Sequence, residues 1–164
     1  MKSVLKSSLT CLAVLIMANI AQAETPCKSI LEIATSTPGL STLVTAVKAA
    51  GLVDSLSGPG PFTVFAPLNQ AFAKIPGDQL QALLGDRLKL RSVLFAHIVI
   101  GQELTFDNLK GRDFENNSVS MANGSKKIPR LEDNGYTFDG ANYVANDIQA
   151  CNGIVQLIDT VLAP

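Results

Sequence analysis

The chain is predicted to fold as an α+β domain, with several helices gathered mostly in its N-terminal half and an antiparallel sheet or sandwich in its second. Three observations carry that expectation. Apolar residues of the first half recur at helical spacing, as in Leu40, Leu43, Val44 and Val47. The second half breaks into short apolar runs separated by Asn-Gly and Asp-Gly pairs. Between the two lies GPFTVFAPLNQAF, residues 60–72, which holds a strand pattern, a Pro stop and a helix pattern in one stretch.

Taken in order, Ile30, Leu31, Ile33 and Ala34 supply the apolar side of a short first helix. Thr37-Pro38 reads as the next start, with Thr37 at the N-cap and Pro38 at the first helical position, where a missing N–H costs nothing. The Leu40–Leu43–Val44–Val47 stripe follows, and Gly51 stands where a helix ends in the left-handed conformation. Residues 62–66 alternate as a strand, with Phe62, Val64 and Ala66 on one face and Thr63 and Phe65 on the other, so at least one face is core. Pro67 ends that strand, and Asn69 is expected to cap the helix that carries Ala71 and Phe72. Residues 78–84 read as another short helix. Asp86 is placed to cap a longer one, with Leu88, Val93 and Leu94 among its apolar residues.

In the second half, Asn123-Gly124, Asn134-Gly135, Asp139-Gly140 and Asn152-Gly153 are tight-turn pairs, because Gly adopts positive φ without a Cβ clash. Residues 136–138 and 142–144 flank one turn, and residues 148–151 and 154–158 flank another. The last run is apolar on both faces except for Gln156, which places it centrally in a sheet. No linker, internal repeat or low-complexity segment divides the chain.

The N-terminus has the layout of a secretory signal peptide. Lys2 and Lys6 precede a short apolar run at residues 9–20, and Ala21-Gln22-Ala23 is a small-x-small cleavage site. The expected organisation is therefore a signal peptide over 1–23 and one domain over 24–164. Cleavage takes Lys+Arg from 13 to 11 against 14 Asp+Glu, a net charge of about −3 by that count. No basic run or Trp marks a nucleic-acid or anionic-membrane footprint. No second apolar run approaches a membrane span, so the expected product is secreted, periplasmic or extracellular. Two cysteines remain, Cys27 and Cys151, near opposite ends of the exported chain. Their even number in that compartment suggests a disulfide, with two buried thiols as the alternative.

Reactive chemistry is sparse. His97, in VLFAHIVI, is the one histidine, which rules out a His-based metal cluster. Neither a phosphate loop, a nucleophile elbow nor a CxxC pair is present. In an apolar run His97 reads as a hydrogen-bonded core residue, with a dispersed Ser–His–Asp hydrolase ranked last. Asp107, Asp113 and Glu115 sit in a polar stretch read as a solvated loop. Asn116 and Asn123 head N-glycosylation patterns, but these read first as ordinary turn sequences. No catalytic, cofactor or metal residue is assigned.

Three landmarks together resemble the fasciclin-like family of the beta-Ig-h3 type, over nearly all of the exported chain. LSTLVTAVKAAGLVDSLSGPGPFTVFAPLNQAFAKIP, at 40–76, is similar to that family's first signature, carried here by Phe62, Thr63, Val64, Phe65, Ala66, Pro67, Asn69 and Phe72. VLFAHIVIG, at 93–101, is similar to its central Tyr-His region, with His97 kept and Ala96 where many members have Tyr. NGIVQLIDTVLAP, at 152–164, is similar to the closing signature, carried by Gly153, Ile154, Val155, Ile158, Asp159 and Leu162. The resemblance implies a wedge-shaped β-sandwich with flanking helices and the two signatures as neighbouring core strands. It implies a non-enzymatic adhesion or interaction module that attaches to cell surface, matrix or host, with a protein or glycan partner and self-association as one route. The Ala96 departure weakens any receptor role carried over from animal members. The alternative it implies is an extracellular carrier of a lipophilic small molecule such as a carotenoid, consistent with 47% hydrophobic residues.

Overall fold

A computed structural model describes residues 27–110, 118–133 and 135–164. The signal peptide expected over 1–23 lies outside the described residues, as do Asp113, Glu115, Asn116, Asn117 and Asn134.

Ser29 opens helix α1 (Ile30–Ser36) through a capping box: its hydroxyl accepts from Glu32 N–H while the Glu32 carboxylate accepts from Ser29 N–H. Pro38 does sit at the start of a helical segment, but that segment is a 3-10 turn, Pro38–Leu40, leading into α2 (Ser41–Ala50). Thr37 does not cap it; its hydroxyl donates back to the Ile33 carbonyl at 2.8 Å. Gly51 closes α2 in the left-handed conformation at φ 69°. Helix α3 (Val53–Ser57) precedes strand β1 (Phe62–Pro67), then α4 (Asn69–Ala73), α5 (Gly77–Gly85) and α6 (Arg87–Phe95). Asp86 caps α6, accepting from Leu88 and Lys89 N–H. Leu88 itself faces solvent, and Leu90 and Leu94 form the buried stripe. After α6 come strand β2 (Ile98–Ile100) and a short helix α7 (Phe106–Lys110). A small ribbon, β3 (Val119–Ser120) with β4 (Lys126–Lys127), and then β5 (Pro129–Glu132), β6 (Gly135–Phe138), β7 (Ala141–Ala150) and β8 (Gly153–Ile158) complete the described chain.

Among the described residues, six strands form one sheet in the order β2-β1-β8-β7-β6-β5. The turn pairs do mark hairpins: Asp139 (φ 54°) and Gly140 (φ 81°) join β6 to β7. The sheet is mixed rather than purely antiparallel, because β8 runs parallel to β1 from Phe62↔Gly153 to Pro67↔Ile158. Parallel strands need a long crossover. Here residues 68–152 form the crossover, so turn residues could reveal only the hairpins.

Strand β7 gives the sheet its curl. It pairs with β6 through Ala141 and Asn142 and with β8 from Tyr143 onward. Register shifts between Tyr143, Ala145 and Ile148 interrupt that second ladder, and Asp147 sits there at φ 55°. Such irregularities bend a strand and increase its twist.

Both faces of the β1–β8 pair are covered. Val64, Ala66, Val155 and Leu157 join α1, α2 and α6 in an aliphatic cluster with Ile30, Leu43, Val47 and Leu94. Phe65 and Ile158 face the other way, into a cluster with Val99, Leu104, Leu109, Val119, Met121 and Phe138. That is why residues 62–66 alternate and yet read as apolar throughout.

Candidate functional site

The first and closing signatures are packing devices at nearly every position. Phe65 is fully buried and stacks on Phe138, with ring centroids 4.1 Å apart and planes 7° from parallel. Phe72, on α4, is buried in the aliphatic cluster with Val64 and Ala66. The strands cross so tightly at their starts that a Cβ on Gly153 would collide with the Phe62 carbonyl. A Cβ on Gly60 would likewise meet the Asn152 carbonyl.

Asn69 does not cap its own helix. Leu68 occupies that position, so Asn69 is already helical and its side chain reaches α2. Its Oδ1 accepts from Thr42 N–H at 3.0 Å and its Nδ2 donates to the Ser41 hydroxyl at 2.9 Å. Asn152 does the same for α1: Oδ1 accepts from Ile30 N–H at 3.1 Å, while Nδ2 donates to the carbonyls of Leu56 and Gly58. Each asparagine supplies a distant helix with an acceptor for a first-turn N–H that the helix cannot bond itself. The Cys27–Cys151 disulfide, with Cα atoms 5.3 Å apart, ties the same corner covalently.

His97 is buried and spent on the backbone. Its Nε2 accepts from Leu162 N–H at 2.8 Å, which places the ring proton on Nδ1, donated to the Val93 carbonyl at 2.7 Å. Burial, with a smaller contribution from the Lys127 charge, holds the ring at about 4 despite the opposing Val93 bond. With both nitrogens occupied, the ring has no free position from which to act as a base. Lys127 holds the same closing segment by donating to the Ala163 carbonyl and pairing with Asp139. Asp159 fastens β8 to β7 and α4. Burial raises its carboxyl, but bonds from the Asn142 side chain, Thr160 and the Asn142 N–H, with Lys74 at 3.4 Å, outweigh that and hold it at about 2.

The second face of the β1–β8 pair also carries buried polar groups, Thr63 and Gln156. The Thr63 hydroxyl donates to the Gln102 carbonyl and accepts from Leu104 N–H, both at 2.8 Å. Gln156 Nε2 donates to the Leu104 carbonyl at 3.0 Å and to the Asp147 carboxylate at 2.8 Å, and its Oε1 accepts from Asp147 N–H. The carboxylate in turn accepts from Phe106 N–H, at the start of α7. The β7 irregularity therefore holds α7 against the sheet. There, Phe106 meets Tyr136 and Tyr143 edge-on at 5.6 and 5.1 Å, and Lys110 Nζ lies 4.2 Å from the Phe106 ring centre. Asp107 is on this helix, paired with Lys110, rather than in a loop. The Tyr143 hydroxyl has no hydrogen-bond partner among the described residues; burial, and the Asp147 charge, push its pKa up.

This half-exposed aromatic corner, continuous with the exposed Leu131 of β5, is the surface feature the signatures support from behind. In the sequence Gln156 stands out as the one polar residue of its run, but nothing marks Pro129–Glu132 as a strand. One Leu between two charges carries no period of its own. Among the described residues, no group of His, Cys, Asp or Glu could hold a metal ion, and no single helix is long and apolar enough to cross a membrane.

A family model for the fasciclin domain matches residues 38–164. This chain belongs to the fasciclin domain family. It is 40% identical over 136 residues to the uncharacterized Synechocystis protein sll1735, covering 82% of this chain and 96% of that one. It is 33% identical over 142 residues to the cell surface glycolipoprotein MPB83 of Mycobacterium bovis, covering 80% of this chain and 58% of that one. Among solved structures, a FAS1 domain pair from the insect cell adhesion molecule fasciclin I superposes with a TM-score of 0.61 at 23% identity, over 76% of this chain and 45% of that one. The fold is the α+β fasciclin fold, and the family is one of adhesion and surface proteins that act through protein interactions.

Proposed function

We propose that this chain is exported, through cleavage after Ala23, and acts as a non-enzymatic adhesion or interaction module outside the cytoplasm. One observation carries the reading: the groups that could do chemistry, His97 above all, are consumed in holding the fold. What remains for function is surface, and the family supports adhesion as its use. The partner is a protein or glycan on a cell, matrix or host surface. Contact by a single module is weak, so density or self-association raises the effective affinity. Deleting the gene and measuring attachment, aggregation and biofilm formation tests the reading; unchanged behaviour in all three counts against it.

A lipophile carrier has less support. The apolar cavity between α1, α2, α6 and the β1–β8 pair measures about 20 Å³, room for about one water. An open groove of about 420 Å³ between Ile75, Leu83, Val93 and Val161 is the larger space. A visible absorbance band or extractable lipid in protein purified from its own host would favour the carrier.

A further inference from the structure

The two edges of the six-stranded sheet differ. At the β2 edge, the Ile98 carbonyl accepts from Ala122 N–H at 2.7 Å, so the ribbon region already occupies that side. At the β5 edge no such bond forms outside the hairpin among the described residues, and Arg130, Leu131 and Glu132 are all exposed, Leu131 at 59%.

The β5–β6 register tells which backbone groups face outward. Asp139 N–H donates to the Ile128 carbonyl, which makes that facing pair a hydrogen-bonded one. Bonded and non-bonded pairs alternate in an antiparallel ladder. Arg130↔Thr137 and Glu132↔Gly135 are then bonded to β6, while Leu131↔Tyr136 is not. Leu131 therefore turns its N–H and C=O away from the hairpin. Pro129, also outward, has no N–H to offer, so Leu131 is the one residue of β5 with both groups available.

The charges around that residue are self-complementary. With Leu131 on a two-fold axis, an antiparallel second β5 places Arg130 opposite Glu132 of the second copy, and Glu132 opposite its Arg130. Directly opposed side chains in such a ladder have Cβ atoms about 4.5–5.5 Å apart, close enough for an ion pair. Neither Arg130 nor Glu132 has an ion-pair partner among the described residues. Charged residues and Pro on an edge usually prevent pairing. Opposite charges two positions apart around an outward residue do the reverse for an identical strand in this register.

We propose that β5 is a self-association edge: two copies of this chain pair antiparallel through Leu131, with reciprocal Arg130–Glu132 contacts, and join their sheets into one. This deepens the adhesion reading, on which its biological meaning rests. The strand is short, so the contact is weak and reversible, as a polyvalent surface requires.

Sedimentation of the exported chain over rising concentration tests the pairing. Wild type shows a reversible dimer. R130E and E132R, which each set like charges across the axis, weaken it by about tenfold or more. An equimolar mixture of the two variants restores it, because one edge is then wholly acidic and the other wholly basic. Both variants melt with wild type, since the altered side chains are exposed. A wild type that stays monomeric, single variants that dimerise like wild type, or a mixture no tighter than its components would each overturn the proposal. Binding of beads coated with wild type or R130E to cells of the source organism reports separately on adhesion. Attachment alongside a failed sedimentation test removes only the edge pairing, whereas beads that never attach remove the adhesion reading itself.

Discussion

The two faces of the β1–β8 pair are built from different chemistry. One is aliphatic, filled by Val64, Ala66, Val155 and Leu157 against helices. The other places the Phe65–Phe138 stack beside the bonded side chains of Thr63 and Gln156. Aliphatic packing is non-directional and needs only volume and shape. Buried polar groups need particular partners, so they fix one arrangement of the segments they touch. The first face holds the helices; the second positions residues 102–106 and, through them, the aromatic corner.

The largest expected effect tests whether both faces matter equally to stability. Phe65→Ala on the polar-aromatic face and Phe72→Ala on the aliphatic face should each cost about 3–5 kcal/mol, read as a fall in chemical denaturation midpoint. A melting temperature near wild type for either would remove that face from the core.

A somewhat smaller effect follows pH. His97 is held at about 4 in the folded chain against an ordinary 6.5. Between those values the unfolded chain takes up a proton that the folded chain excludes. Stability is thus complete above pH 6.5 and falls as pH drops toward 4, by about 3 kcal/mol at most. His97→Gln should flatten that slope; an unchanged slope would assign it to other groups. Asp159 adds a second, lower window, with stability present above its ordinary 3.8 and lost as pH falls toward 2.

The sharpest test of the difference between faces is Gln156→Leu. It removes partners from the Leu104 carbonyl and from both the N–H and the carboxylate of Asp147, at a cost of about 1–3 kcal/mol. Amide exchange should quicken across Leu104–Lys110 and stay slow in α1 and α2. Uniform quickening would mean that the polar groups are ordinary core.

Smallest is Asn69→Ala, which deprives Thr42 N–H of its acceptor and should cost about 1 kcal/mol. Protection should drop at the start of α2, not at α4, if the cap acts across helices.

Local patterns are legible where neighbours in sequence are neighbours in space. The Leu40–Val47 stripe, the Gly51 end and the Asp86 cap are all local matters of backbone and adjacent side chains. The Asn69 expectation failed because a cap is recognised by its position before a helix, whereas this side chain serves a helix 27 residues away. The candidate surface was illegible for a related reason. Phe106, Leu131, Tyr136 and Tyr143 come from separate segments, and no spacing joins them.

By itself the sequence determined most of the N-terminal helices, the turns at Asp139-Gly140 and Asn152-Gly153, the family and the absence of a His-based metal cluster, since each depends on residue identity and short-range periodicity. Only the tertiary structure decided that the neighbouring strands β1 and β8 run parallel, that His97 holds the Leu162 N–H, and that β5 is an edge left open among the described residues. Those depend on which distant segments share a ladder. That choice is made by burying two faces at once and satisfying every backbone group within them.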